Sequence, residues 1–176
     1  MYRTLPIALA SILAGALVLI AVASAMPAQA AQEPKSLGKF DSWEAFAEPG
    51  GGGKVCYAAA LPRQSKNAPA GRGRAYSMLS NHPADKSFGV IGFTAGFALK
   101  KGSPAMLQIG ATKFELYAVG DTAWARDDKA VVAALAKARS ATFVGIPAKG
   151  DPVADNYALD GFADARAAID KECGAK

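Results

Sequence analysis

The sequence holds one histidine, His82, set in Asn81-His82-Pro83 with Asp85 three residues further on. An imidazole beside a carboxylate could serve a serine hydrolase, the ring taking the hydroxyl proton while the acid orients the ring. The same residues also make an ordinary strand-ending turn, because Asn and Pro both favour turns, and that reading is preferred. No Gly-x-Ser-x-Gly elbow occurs, and no pair of acids stands out from the general scatter. No catalytic residue is therefore assigned, and a periplasmic hydrolase using His82 is the alternative. A second group is basic. Arg63, Lys66, Arg72 and Arg74 fall within twelve residues that contain no acid, a candidate patch for an anionic ligand or a partner protein. The third group is Cys56 and Cys173, the only cysteines. With a single histidine they cannot fill a four-ligand zinc site, and they form no Cys-x-x-Cys motif. Neither a metal nor a cofactor is expected.

What the cysteines do depends on compartment, and the first thirty residues bear on that. Arg3 is followed by nineteen uncharged residues, Ile7 to Ala25, and then by Pro27-Ala28-Gln29-Ala30. A positive start, an apolar middle and an Ala-x-Ala exit describe a signal peptide over residues 1–30. A retained transmembrane anchor, making the protein a membrane-tethered envelope scaffold, is the alternative. Export points to the periplasm or beyond in a Gram-negative envelope. There an even cysteine count reads as a Cys56–Cys173 disulfide, with two free buried thiols as the other possibility. Export also argues against nucleic acid as a partner and, after cleavage, against stable membrane insertion. The expected partners are an envelope or host-surface protein or an anionic envelope polymer.

The elements that must position these groups are mostly strands. Residues 31–36 read as a short polar tail. Strands are expected over Phe40–Phe46, Lys54–Leu61, Ala75–Asn81, Met106–Ile109, Thr112–Tyr117, Ala141–Ile146 and Asn156–Leu159. Another strand is expected in Phe88–Leu99, the longest apolar stretch after the leader. Gly50 to Gly53 form a hairpin turn longer than the tightest type, and Pro62 to Gly73 form a loop. In Thr112–Tyr117, Phe114 and Leu116 alternate with Lys113 and Glu115, the pattern of an antiparallel sheet with one wet face. Two helices are expected. One spans Asp127–Arg139, with Val131, Val132, Leu135 and Ala138 on a stripe. The other runs from about Gly161 to Lys171 with Asp160 as N-cap. Phe162, Ala165, Ile169 and Cys173 share one side of the second helix, which turns Cys173 toward whatever the helix packs on. Trp43 and Trp124 are read as core.

The chain has 176 residues, 51% hydrophobic and 20% charged, with 18 Gly and 10 Pro. That composition excludes disorder, collagen and coiled coil. Removing the leader leaves a chain of single-domain size. The net charge of +5 falls by one when Arg3 is lost. The fold expected is mainly β: a single-domain antiparallel β-sandwich over residues 37–176 with two short α-helices, the last one C-terminal.

Phe40, Trp43, the glycine-rich turn, Lys54-Val55-Cys56-Tyr57 and Pro62 begin a pattern that continues in Lys100-Lys101-Gly102 and Gly120-Asp121-Thr122-Ala123-Trp124-Ala125. It ends in Gly145, Gly150, Asp155-Asn156-Tyr157-Ala158-Leu159-Asp160-Gly161-Phe162, Ala165 and Cys173. From Leu37 to Cys173 the chain resembles the invasion-associated locus B family of exported alphaproteobacterial proteins. The resemblance implies a β-sandwich with no established enzymatic mechanism. It further implies an envelope role and, more narrowly, a part in host interaction, since the family takes its name from a locus that promotes entry into red cells.

Overall fold

Trp43 opens the second strand directly opposite Phe40, the last residue of the first. The expected single strand over Phe40–Phe46 is thus a hairpin of Lys35–Phe40 (β1) and Trp43–Gly50 (β2). Asp41 turns the chain at φ 47°, a left-handed conformation that Asp tolerates better than most residues. The irregular aromatic spacing has a simple cause, since Phe40 and Trp43 are cross-strand partners. The computed structural model describes residues 33–50 and 52–175, and the expected leader lies outside them.

Gly53–Ala60 (β3) returns beside β2 with Gly50 opposite Gly53, so this hairpin is tighter than four glycines suggest. Pro49 sits in β2 beyond Ala47, where β1 no longer pairs, a position that tolerates a missing N–H. Gln64–Lys66 (β4) follows inside the expected loop, and then Tyr76–His82 (β5) and Ser87–Thr94 (β6). The apolar run after Phe88 does not stay extended to Leu99. It bends at Gly96, φ 73°, where the chain passes against Gly73. Ala105–Ile109 (β7), Thr112–Val119 (β8) and Thr122–Ala125 (β9) form a meander, the last of which periodicity missed. Asp128–Leu135 (α1), Ser140–Gly145 (β10), Val153–Ala158 (β11) and Phe162–Cys173 (α2) complete the chain.

Among the described residues the strands form one antiparallel sheet, ordered β1-β2-β3-β5-β6-β9-β8-β7-β10-β11-β4. The sandwich is this sheet folded over on itself. Phe93 on β6 and Phe143 on β10 lie four places apart in that order, yet their rings stack at 5.4 Å. Tyr157 on β11 meets Phe93 edge-on at 5.6 Å. Only Leu61, Pro62 and Arg63 separate β3, deep in one half, from β4 at the far edge.

α2 lies on one face of the first half, against β1, β2, β3 and β5. That face carries Ala45, Ala47, Cys56 and Ala58, all buried, and small side chains let a helix approach a sheet closely. Trp43 and Phe162 meet edge-to-face at 4.9 Å, and the Trp43 indole N–H donates to the Ala158 carbonyl at 3.0 Å. The helical stripe is as expected, with Phe162, Ala165, Ile169 and Cys173 all buried. Its start is not. Gly161, at φ 82°, occupies the cap position without a side-chain bond, and Asp160 turns outward to Arg63. A β-carbon on Gly161 would overlap the Phe40 carbonyl oxygen. Gly161→Ala is therefore expected to cost at least ~2 kcal/mol, combining left-handed strain with that collision. A urea denaturation curve checks it, and a loss within ~0.5 kcal/mol would contradict it.

Candidate functional site

Among the described residues, nothing covers the opposite face of the same strands. In β2 and β3 the small residues point to the helix, so the larger alternate ones, Phe46, Val55 and Tyr57, point outward. β5 adds Tyr76 and Met78 on that side, each half-buried. Together they floor a concave groove of about 890 Å³. Phe46 is the cross-strand neighbour of Tyr57, and their rings stack at 5.3 Å and 28°. Ala59, flanked by Glu44 on β2 and Met78 on β5, keeps the floor low beside that pair. Burial, and secondarily the Glu48 carboxylate, pushes the Tyr57 phenol up. The hydroxyl therefore stays a donor at neutral pH.

The ends of the groove differ. β3 finishes where β5 begins, and there Leu61, Arg63 and Arg74 form the rim. Glu48 and His82 stand at the other end. Lys39 pairs with Glu44 at 3.2 Å across the hairpin. Arg63 donates to Asp160 at 3.1 Å and to the Ser42 hydroxyl at 3.2 Å.

The four cations expected to form one patch do not assemble. Arg72 points inward, its side chain only 9% exposed, and makes a two-pronged ion pair with Asp155, which is 0% exposed. Its Nε also donates to the Ala95 carbonyl at 2.6 Å, and its guanidinium lies 5.4 Å from the Phe97 ring centre. The Asp155 hydrogen bond holds the guanidinium above its already high ordinary value. Lys66, on β4, pairs with β11 at the sheet's far edge. Arg63 and Arg74 alone reach the groove. The disulfide is present: Cys56 and Cys173 are bonded, their Cα atoms 6.0 Å apart.

His82 lines the groove, with Nε2 3.1 Å from the hydroxyl of Ser80, a residue only 2% exposed. Asp85 sits in the turn after His82 and, among the described residues, makes no hydrogen bond to the ring. The orienting role that the hydrolase alternative needs from Asp85 is thus not seen, and the turn preferred from sequence is present. Trp43 is core, but Trp124 is not. It lies half-buried on the outer face over Gly92, where a β-carbon would come 2.8 Å from the indole. Gly92 is the space the ring occupies.

The invasion associated locus B (IalB) protein family model matches residues 43–170. The chain belongs to this family. The crystal structure of invasion associated protein b from Bartonella henselae is similar in fold, with a TM-score of 0.53 and 20% identity. The match covers 77% of this chain and 96% of that one. No curated protein matches. The groove strands β2, β3 and β5 all lie within the IalB match, whereas Cys173 lies just beyond it.

The apolar floor of the groove, Phe46, Tyr57, Tyr76 and Met78, is what sequence reasoning missed. Periodicity marks which residues share a face and is silent about which face is buried. A usable signal does exist in Ala45, Ala47, Ala58 and Ala60 alternating with Phe46, Tyr57 and two glutamates. Small residues in register on two adjacent strands, ending near a cysteine that bonds a helix, mark the helix-facing side.

Proposed function

We propose that the protein is an exported, non-catalytic binding or accessory component of the bacterial envelope that works through the groove on β2, β3 and β5. One observation carries the binding reading. A sheet face left open to water is ordinarily polar, and here the open face is aromatic, concave and rimmed by charges. Export rests on the leader-like residues 1–30, and an intact mass lacking them is expected for protein isolated from its native cells. A mass that includes them would favour the tethered scaffold. The IalB family name supports a host-surface partner as a narrower form of the same proposal.

The test is a photo-reactive side chain in place of Met78, activated in living cells. A discrete cross-linked product is expected, and it should disappear when Phe46 and Tyr57 are both replaced by Ser. Absence of any product, or a product indifferent to those changes, would end the reading. The contact between Ser80 and His82 favours a second reading, hydrolysis. Against it, Ser80 is nearly inaccessible and, among the described residues, His82 lacks an orienting acid. The purified protein is expected to cleave a chromogenic ester no faster than its His82→Ala variant. A rate that collapses in that variant would make the protein a hydrolase.

A further inference from the structure

We propose that the groove takes an uncharged oligosaccharide, one of its pyranose rings lying against a ring face of the Phe46–Tyr57 stack. The proposal deepens the binding reading above and rests on it. A pyranose has an apolar C–H face, and its equatorial hydroxyls leave at the perimeter. It therefore suits a flat hydrocarbon platform surrounded by hydrogen-bonding groups. Phe46 and Tyr57 overlap at 5.3 Å and 28°, so a single ring face serves as that platform, and both side chains line the groove and stay partly exposed. Burying an apolar ring face against aromatic carbon is favourable. Around the pair stand Glu44, Glu48, Arg74 and His82, able to accept from or donate to hydroxyls through charge-assisted hydrogen bonds. A groove of about 890 Å³ falls within the range of small-molecule sites.

Charge selects against polyanions. The lining holds three cations, Lys39, Arg63 and Arg74, against three carboxylates, Asp41, Glu44 and Glu48. Lys39 and Arg63 are already paired, and the basic group that would have drawn an acidic polymer is dispersed, with Arg72 buried. An anionic chain would meet Arg74 but also Asp41 and Glu48, which make no ion pair among the described residues.

Polypeptide fits less well. β2, β3 and β5 are each hydrogen-bonded to neighbours on both sides. A peptide laid across this face gains no main-chain ladder, and its amides would lose water against ring carbon. A second copy of the same face also fits poorly, since two concave floors cannot touch.

The experiment uses the protein as isolated from its native cells, titrated calorimetrically with cellohexaose, chitohexaose and maltohexaose, and with heparin and a proline-rich peptide for comparison. At least one neutral hexamer should bind saturably, with affinity little changed by salt. Phe46→Ala should weaken it about tenfold or more, the scale of losing one stacking partner. Tyr57→Phe should keep most of the affinity, because it retains the ring, and guards against a loss caused by misfolding. No binding by any of the three, preference for heparin or the peptide, or a folded Phe46→Ala protein that binds normally would each overturn the proposal. If the hexamers fail while the position-78 cross-link persists, the oligosaccharide is wrong and the binding reading stands. If both fail, both are wrong.

Discussion

Replacing Cys56 and Cys173 by alanine is expected to lower stability by about 5 kcal/mol, the chain-entropy value for so long a loop. The bonded residues are 117 apart, so the bridge removes a large share of the conformations open to the unfolded chain. A domain of this size has only about 5–15 kcal/mol in total, and the effect reaches a third of that or more. Several native contacts at the helix end survive without the bond. Asn81 Nδ2 donates to Asp170 Oδ1 at 2.7 Å, and Ile169 stays buried. Lys54 Nζ donates to Glu172 at 2.9 Å, which holds the Glu172 carboxyl below the usual carboxylate range. The double variant should therefore still fold with α2 docked, and its urea midpoint should fall without a change in native spectrum. A loss below ~1 kcal/mol would show that the unfolded chain is already confined there. Alkylation of native protein without reductant should modify neither cysteine, and two modified thiols would contradict the bridge.

The disulfide was legible because its parts are local and few. The even cysteine count needs no fold, and the stripe Phe162, Ala165, Ile169, Cys173 follows from helical geometry alone. The alternation in β8 was legible for the same reason: Leu116 is buried between exposed Glu115 and Tyr117. Features set by distant partners were not. β4 is three residues long and exposed throughout, and it is a strand only because β11 offers a free edge. Gly161 rather than Asp160 caps α2 because the Phe40 carbonyl crowds that turn, a neighbour 121 positions earlier in the sequence. Trp124 went to the wrong side for a related reason. Its space is made by a glycine on another strand, and glycine gives no periodic signal of its own. The groove follows the same logic, since α2 decides which face of β2 and β3 is dry.

Arg72 is the clearest case of a residue whose meaning lies elsewhere in the chain, and it leads to the second large effect. In sequence it sits among Pro, Gly, Asn and other cations, the surroundings of a solvated loop. In the fold its guanidinium meets Asp155 with both prongs, Nη1 donating to Oδ1 at 2.9 Å and Nη2 to Oδ2. The Ser65 hydroxyl donates to the same carboxylate at 2.6 Å. Tyr157, two residues on, has its phenol pushed up chiefly by burial and next by Asp155, so it adds no second charge to this interior. Removing one partner leaves the other as a buried charge with nothing opposite it, which costs about 3–5 kcal/mol. Asp155→Ala and Arg72→Ala are each expected to lose that much in urea denaturation. The two losses should not add. With both charges gone, no unpaired ion remains, so Arg72→Met with Asp155→Leu should be more stable than either single change. Its remaining deficit would come from Ser65 and the Ala95 carbonyl, which lose their partners. Equal and additive losses in the singles and the double would instead mean that the pair is solvated in solution. The residues from Arg63 to Gly73 would then not be anchored to β11 through this pair.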